Sequence, residues 1–234
     1  MLLAPPMPRP LRTATVALAI SLAAALLWAV PALACGGTET EQARKTVNPD
    51  GHAPLAIGDS TMLLALPDLA RAGYQANARG CRQITEGLDV IRDYKRRGAL
   101  PHLVVIALGA DASLSSSQME EAFRLVGPRR VLGLVTPIEL GGGTSSDADV
   151  VRAAVKRHPK RAVLLDWVAF SSGHGDWFQP DNLHLTFSGA AGFARLLKQA
   201  LPYSRPGEHP GKPVRPTGKA GVGPGVPAPA AEPR

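Results

Sequence analysis

Two cysteines in 234 residues, Cys35 and Cys81, are too few and too far apart to supply the grouped thiolates of a metal site. No internal repeat is visible, so no repeat array is expected. Gly141-Gly142-Gly143 is not followed by the Lys of a phosphate-binding loop, and no other loop has a phosphate-cradling composition. A nucleotide binder of the flavodoxin type is therefore remote, and no cofactor is expected. A concentrated basic face is also missing. Of the net charge of +7, Arg9 and Arg12 carry two units, the segment from Ser204 onward carries a net three, and only two remain for everything between. Nucleic-acid binding needs its positive charge gathered on the folded part, so no nucleic-acid partner is expected. The basic tail offers at most weak contact with anionic lipid or wall polymer.

What is present begins with a targeting pattern. Arg9 and Arg12 precede an apolar run over residues 14–30, and Ala32-Leu33-Ala34 supplies small residues for cleavage, so residues 1–34 read as a signal peptide and the mature chain as exported. A retained membrane anchor is the rival reading. Cys35 follows the cleavage pattern directly and leaves two alternatives open. Ala32-Leu33-Ala34-Cys35 resembles a bacterial lipoprotein signal, which implies membrane attachment through a lipidated Cys35, although a larger aliphatic residue usually stands where Ala32 does. A disulfide to Cys81 is the other alternative, open to an exported protein.

Residues 35–53 are polar and without periodicity and read as a flexible tether. From Pro54 to about residue 203, short apolar runs at 55–57, 74–76, 103–108, 131–134 and 162–165 alternate with helical patterns at 61–70, 84–97, 116–126, 147–158 and 187–201. Strands that are apolar throughout belong in a parallel sheet covered on both faces. The expected fold is an α/β, three-layer α/β/α sandwich with a five-stranded parallel sheet. Residues 204–234, rich in Pro, Gly and Ala, read as a disordered tail.

Ser60 sits where the first strand turns into a helix, in Leu55-Ala56-Ile57-Gly58-Asp59-Ser60-Thr61-Met62. In an open α/β sheet that is the end where ligands bind, beside the unpaired N–H groups of helix N-termini. A serine nucleophile needs a base, and the base needs a third group to fix its tautomer. Asp181 and His184, three apart on a Pro-started turn before the last helix, supply that pair: the carboxylate can reach Nδ1 and leave Nε2 for Ser60. The helix N-cap is Thr186 or Ser188. Alone, each motif has a plainer reading as a helix cap or a surface turn.

Gly58-Asp59-Ser60, Gly80, Gly109-Ala110-Asp111 and Asp181-x-x-His184 occur in the order of the four blocks of the SGNH, or GDSL-like, hydrolases, which the chain resembles over residues 55–201. Arg79-Gly80-Cys81-Arg82-Gln83, Val135-Thr136-Pro137, Asp166-Trp167, Ser172-Gly173-His174-Gly175-Asp176-Trp177 and Asp181-Asn182-Leu183-His184-Leu185-Thr186 are similar to the extracellular SGNH domain fused to membrane acyltransferases that O-acetylate peptidoglycan. The resemblance implies the flavodoxin-like SGNH hydrolase fold and a serine esterase or acyl-transfer site. Ser60 would attack an ester carbonyl, His184 would take and return the proton, and Asp181 would orient His184. The oxyanion would be held by the N–H groups of Ser60 and Gly80 and by a donor at position 111. There the family has Asn. An ionised Asp111 can only accept, so it is expected to be protonated, to turn away, or to leave a weak or inactive enzyme.

Among the other candidates, Asp166 competes with Asp181 as the partner of His184. His174 and Asp176 either line a substrate groove or belong to a surface loop closed by Trp177. Arg82 either meets an acidic substrate group or is solvated. The expected function is an exported esterase acting on small acyl esters, with acetylated cell-envelope glycan as a substrate class. No multi-span acyltransferase region occurs in this sequence, so a transferase role would draw its acyl groups from another protein. The alternative is a non-catalytic envelope lipoprotein that keeps the fold and binds glycan or a partner protein.

Overall fold

The computed structural model describes residues 35–49 and 51–210. The expected signal peptide and lipoprotein motif up to residue 34, and the tail beyond residue 210, lie outside them. The strands are β1 (Thr38–Glu41), β2 (Leu55–Gly58), β3 (Gln75–Arg79), β4 (Leu103–Ala107), β5 (Val131–Val135) and β6 (Ala162–Leu165). The helices are α1 (Leu66–Ala72), α2 (Ile84–Arg96), α3 (Ser116–Val126), α4 (Ser146–Arg157), the single turn α5 (Trp167–Phe170) and α6 (Phe187–Leu197). One sheet runs in the order β1-β3-β2-β4-β5-β6, with β2 to β6 parallel and β1 antiparallel on the edge. The chain leaves β2 for one side and later crosses to β4 on the other. That reversal opens a crevice at the carboxyl ends of β2 and β4.

Every residue of β2, β4 and β5 is buried, as parallel strands are when helices cover both faces. The two-residue side-chain period sorts them into two cores. Ala56, Ala76, Ala78 and Val105 pack with Leu69 of α1 and with Phe193 and Leu197 of α6. Leu55, Ile57, Val104, Ile106 and Leu132 pack with Leu88 of α2, Met119 and Phe123 of α3 and Val151 of α4. On the first side Tyr74 is wholly buried, and its hydroxyl donates to the Leu197 carbonyl at 2.7 Å. Burial pushes the phenol pKa up, so the group stays neutral.

Three expectations are corrected. Residues 35–49 are not a tether: Thr38–Glu41 pairs antiparallel with β3, which makes the sheet six-stranded and mixed. Its start is tied down by a disulfide between Cys35 and Cys81, and Asn48 is buried with its amide donating to the Ser204 carbonyl at 3.1 Å. The folded unit also runs past residue 203, because Ser204 is buried and the His209 ring meets the His102 ring edge-on at 5.4 Å. The segment after Asp59 is a 3-10 helix, Ser60–Ala65, before α1 begins. Pro67, lacking an N–H, sits in the first turn of α1, where helices tolerate it.

Candidate active site

Gly58 ends β2 where a side chain would collide with Met62, since a Cβ there would lie 2.6 Å from the Met62 Cβ. Asp59 then caps the 3-10 helix. Its Oδ1 accepts from the Thr61 N–H at 3.0 Å and the Thr61 hydroxyl at 2.7 Å, and its Oδ2 accepts from the Ala110 N–H at 3.3 Å. Asp59 thus ties the loop after β2 to the loop after β4. Burial raises its pKa, the three hydrogen bonds oppose that rise, and the nearby negative charge of Asp111 adds to it. Ser60, the next residue, opens the 3-10 helix with its hydroxyl at the crevice.

The opposing wall is the turn before α6. Pro180 starts it, Asn182 takes a left-handed φ of 55°, which Asn tolerates, and Thr186 caps α6 by accepting from the Gly189 N–H at 3.3 Å. Asp181 Oδ1 accepts from the N–H groups of Leu183 and His184, both at 3.0 Å, and Oδ2 meets His184 Nδ1 at 2.6 Å. The imidazole bond, followed by the two backbone bonds, holds the Asp181 carboxyl below its ordinary pKa. With that carboxylate ionised, the ring proton stays on Nδ1. His184 Nε2 then lies 3.0 Å from Ser60 Oγ as a free acceptor. The three residues read as a triad in the sequence are therefore in one hydrogen-bonded row.

The segments that carry the expected oxyanion donors leave adjoining strands. Gly58 pairs with Ala78 on one side and Ala107 on the other, so the chain beyond each strand brings Ser60, Gly80 and segment 109–111 out on adjoining strands. A Cβ on Gly80 would lie 2.5 Å from the Cys35 carbonyl oxygen, so only glycine fits beneath that backbone. Asp111 is half-buried, and its Oδ2 is buried with no hydrogen-bond partner among the described residues. A groove of about 210 Å³ beside it is lined by Asp111, Ser113, Glu139 and Leu140.

Several other candidates resolve differently. Arg82 is neither solvated nor open to substrate: it is 3% exposed, and Nη1 donates to the carbonyls of Gly58 at 3.0 Å and Asn77 at 2.9 Å. It clamps the ends of β2 and β3 just below Ser60 and Gly80. Its burial lowers the guanidinium pKa. Asp166 is not a partner of His184. It accepts from Arg152 Nε and Nη2, the Thr136 hydroxyl and the Ala169 N–H, and these bonds outweigh burial to lower its pKa. His174 stacks on Trp177 with 3.9 Å between centroids, the surface loop of the plainer reading. The Cys35 sulfur, held in the disulfide, cannot also carry a thioether-linked lipid. Two positions escaped the sequence reading: Gly189 and Gly192 face Trp177, where a Cβ would lie 2.0 Å from its carbonyl oxygen and 2.8 Å from its ring. Their spacing of three on one helix face was the available signal.

No group of three or more His, Cys, Asp or Glu that could hold a metal occurs among the described residues, and none of their helices is long and apolar enough to cross a membrane.

No family model matches the chain. Over 149 residues, 63% of its length, it is 25% identical to the peptidoglycan O-acetyltransferase OatA of Listeria monocytogenes, covering 24% of that protein. Over 161 residues, 64% of its length, it is 24% identical to the O-acetyltransferase OatA of Staphylococcus aureus, covering 25%. The chain thus spans about a quarter of the length of the curated relatives it matches. Among solved structures, the C-terminal catalytic domain of Streptococcus pneumoniae OatA superposes with a TM-score of 0.56 at 22% identity, over 64% of this chain and 93% of that one. The chain has the fold of the SGNH hydrolases, and its sequence is similar to that of the peptidoglycan O-acetyltransferases.

Proposed function

We propose that the chain is an exported serine esterase that hydrolyses small acyl esters, acetyl esters of cell-envelope glycan foremost. The observation that carries this reading is the unbroken row from Asp181 through His184 to Ser60, with contacts of 2.6 and 3.0 Å. Ser60 Oγ attacks the ester carbonyl carbon as its proton passes to His184 Nε2. The carbonyl oxygen becomes an oxyanion facing the N–H groups of Ser60 and Gly80. Asp181 stabilises the imidazolium, which returns the proton to the departing alkoxide oxygen and leaves an acyl-serine. Water, activated by the same imidazole, then releases the acid and restores Ser60. A sugar hydroxyl in place of water would make the second half a transfer.

The names of the relatives favour an O-acetylated peptidoglycan substrate. Two exposed apolar side chains give a glycan something to rest on. Phe187, 82% exposed, follows the His184 turn directly, and Leu140, 72% exposed, hangs from the Ala110 carbonyl beside Asp111. The disulfide suits an oxidising compartment and so supports export. Turnover of p-nitrophenyl acetate tests the reading: Ser60→Ala is expected to lower it by more than about 10³-fold. Activity that survives the substitution excludes Ser60 as nucleophile.

A second reading, a glycan- or protein-binding relative without turnover, rests on Asp111. Its unpartnered buried oxygen is an acceptor where the reaction needs a donor. Efficient turnover by the unaltered chain rules this out.

A further inference from the structure

At the opposite end of the sheet, where β2, β4 and β5 begin, lies a cavity of about 480 Å³. Its wall brings together cationic or proton-donating side chains from four separate stretches: His52 ahead of β2, His102 ahead of β4, Arg129 and Arg130 ahead of β5, and His209 from the segment that closes the domain. Asn48 joins them, and no acidic side chain is among the described lining residues. Because β4 is five residues long, this cavity is separated from the crevice at the other end by roughly 3.3 Å per residue of strand. It is no part of the Ser60 site.

We propose that this cavity is a binding site for a phosphate ester of about the size of a sugar phosphate. What points to a ligand is that His52 and Arg129 line this cavity with no hydrogen-bond partner among the described residues, beside His209, whose buried Nδ1 has none there either. His102 Nε2 is engaged by the Glu208 carbonyl at 3.2 Å. Arg130 donates to the carbonyls of Leu100 and Val126, both at 3.2 Å, which fixes its guanidinium in the wall. Arg129 is exposed and lends its side chain to the cavity. Nitrogen donors that come from several directions match a tetrahedral group with three acceptor oxygens better than a planar carboxylate. The volume far exceeds that of a bare phosphate and falls in the range of small-molecule sites. Burial holds the His102 pKa below its ordinary value; the hydrogen bond to the Glu208 carbonyl opposes that fall, and the neighbouring His209 and Arg130 add to it.

Calorimetric titration of the full chain at fixed ionic strength tests this with inorganic phosphate, glucose 6-phosphate, glucose and citrate. The site predicts saturable binding of both phosphates, tighter for the sugar phosphate, with glucose silent and citrate weaker. Arg129→Ala, at an exposed position, should weaken phosphate binding at least tenfold, and so should His209→Gln. Ester turnover at Ser60 should stay at the parent level in Arg129→Ala. No saturable phosphate binding, or binding unchanged in both variants, overturns the proposal. Citrate bound as tightly as glucose 6-phosphate overturns the assignment to phosphate.

Discussion

In the proposed reaction, Asp111 would set how much the triad can deliver. An amide in its place would donate to the oxyanion, whereas a carboxylate repels it unless protonated. Asp111→Asn is therefore expected to raise kcat on p-nitrophenyl acetate by about 10- to 10³-fold with KM little changed, and a fall in kcat would show that the carboxyl contributes. Asp181 predicts a pH effect of defined sign. Its folded-state pKa is depressed, so its contribution to stability is present above the unfolded carboxyl pKa of about 3.9 and is lost as pH falls through the folded value. The difference in Tm between the parent and Asp181→Asn should shrink as the pH is lowered below that range, and a constant difference would contradict the linkage. Arg82 acts through backbone: replacing it with Met leaves the Gly58 and Asn77 carbonyls without their donor, an expected loss of about 1–3 kcal/mol in denaturant unfolding.

At the scale of elements, His184 is held in place by the packing of Trp177 on α6. Trp177 is stacked on Trp167 at 5.6 Å, and its carbonyl accepts from the Thr186 N–H at 2.9 Å, two residues past His184. Gly189→Ala must push α6 from that carbonyl, with an expected loss of about 1–3 kcal/mol and a fall in kcat that Ala substitutions on the far side of α6 do not share. Phe187→Ala tests the proposed glycan contact: KM for an acetylated glycan polymer should rise while p-nitrophenyl acetate kinetics stay unchanged. The elements differ in how readily the sequence reveals them. β4 and β5 are legible because continuous apolar runs have one good home, a doubly covered sheet. β1 is Thr-Glu-Thr-Glu, mostly exposed and paired on one side only, so no hydrophobic pattern marks it. Arg82 reads as a surface charge because its partners are backbone carbonyls, which leave no trace in the sequence. Asp181 and His184 were legible because their meeting depends on a local turn, while the reach to Ser60 followed only from strand order.

Across the whole molecule, the sheet carries the Ser60 crevice at one end, the basic cavity at the other, and a single covalent brace. The disulfide joins residues 46 apart in sequence and pins β1 beside Gly80. Replacing both cysteines with serine is expected to lower stability by about 2–4 kcal/mol and, since Gly80 sits under the Cys35 backbone, to lower kcat as well. Chain reversal between β2 and β4 puts Ser60 at the crevice, and the last helix brings His184 back to it from 124 residues away. Whether that meeting activates the serine can be read by exposing the protein to a fluorophosphonate and locating the adduct by mass spectrometry. A single phosphonyl group on Ser60, absent from His184→Ala, is the predicted result. An unlabelled protein, or a label on another serine, would contradict the proposed triad.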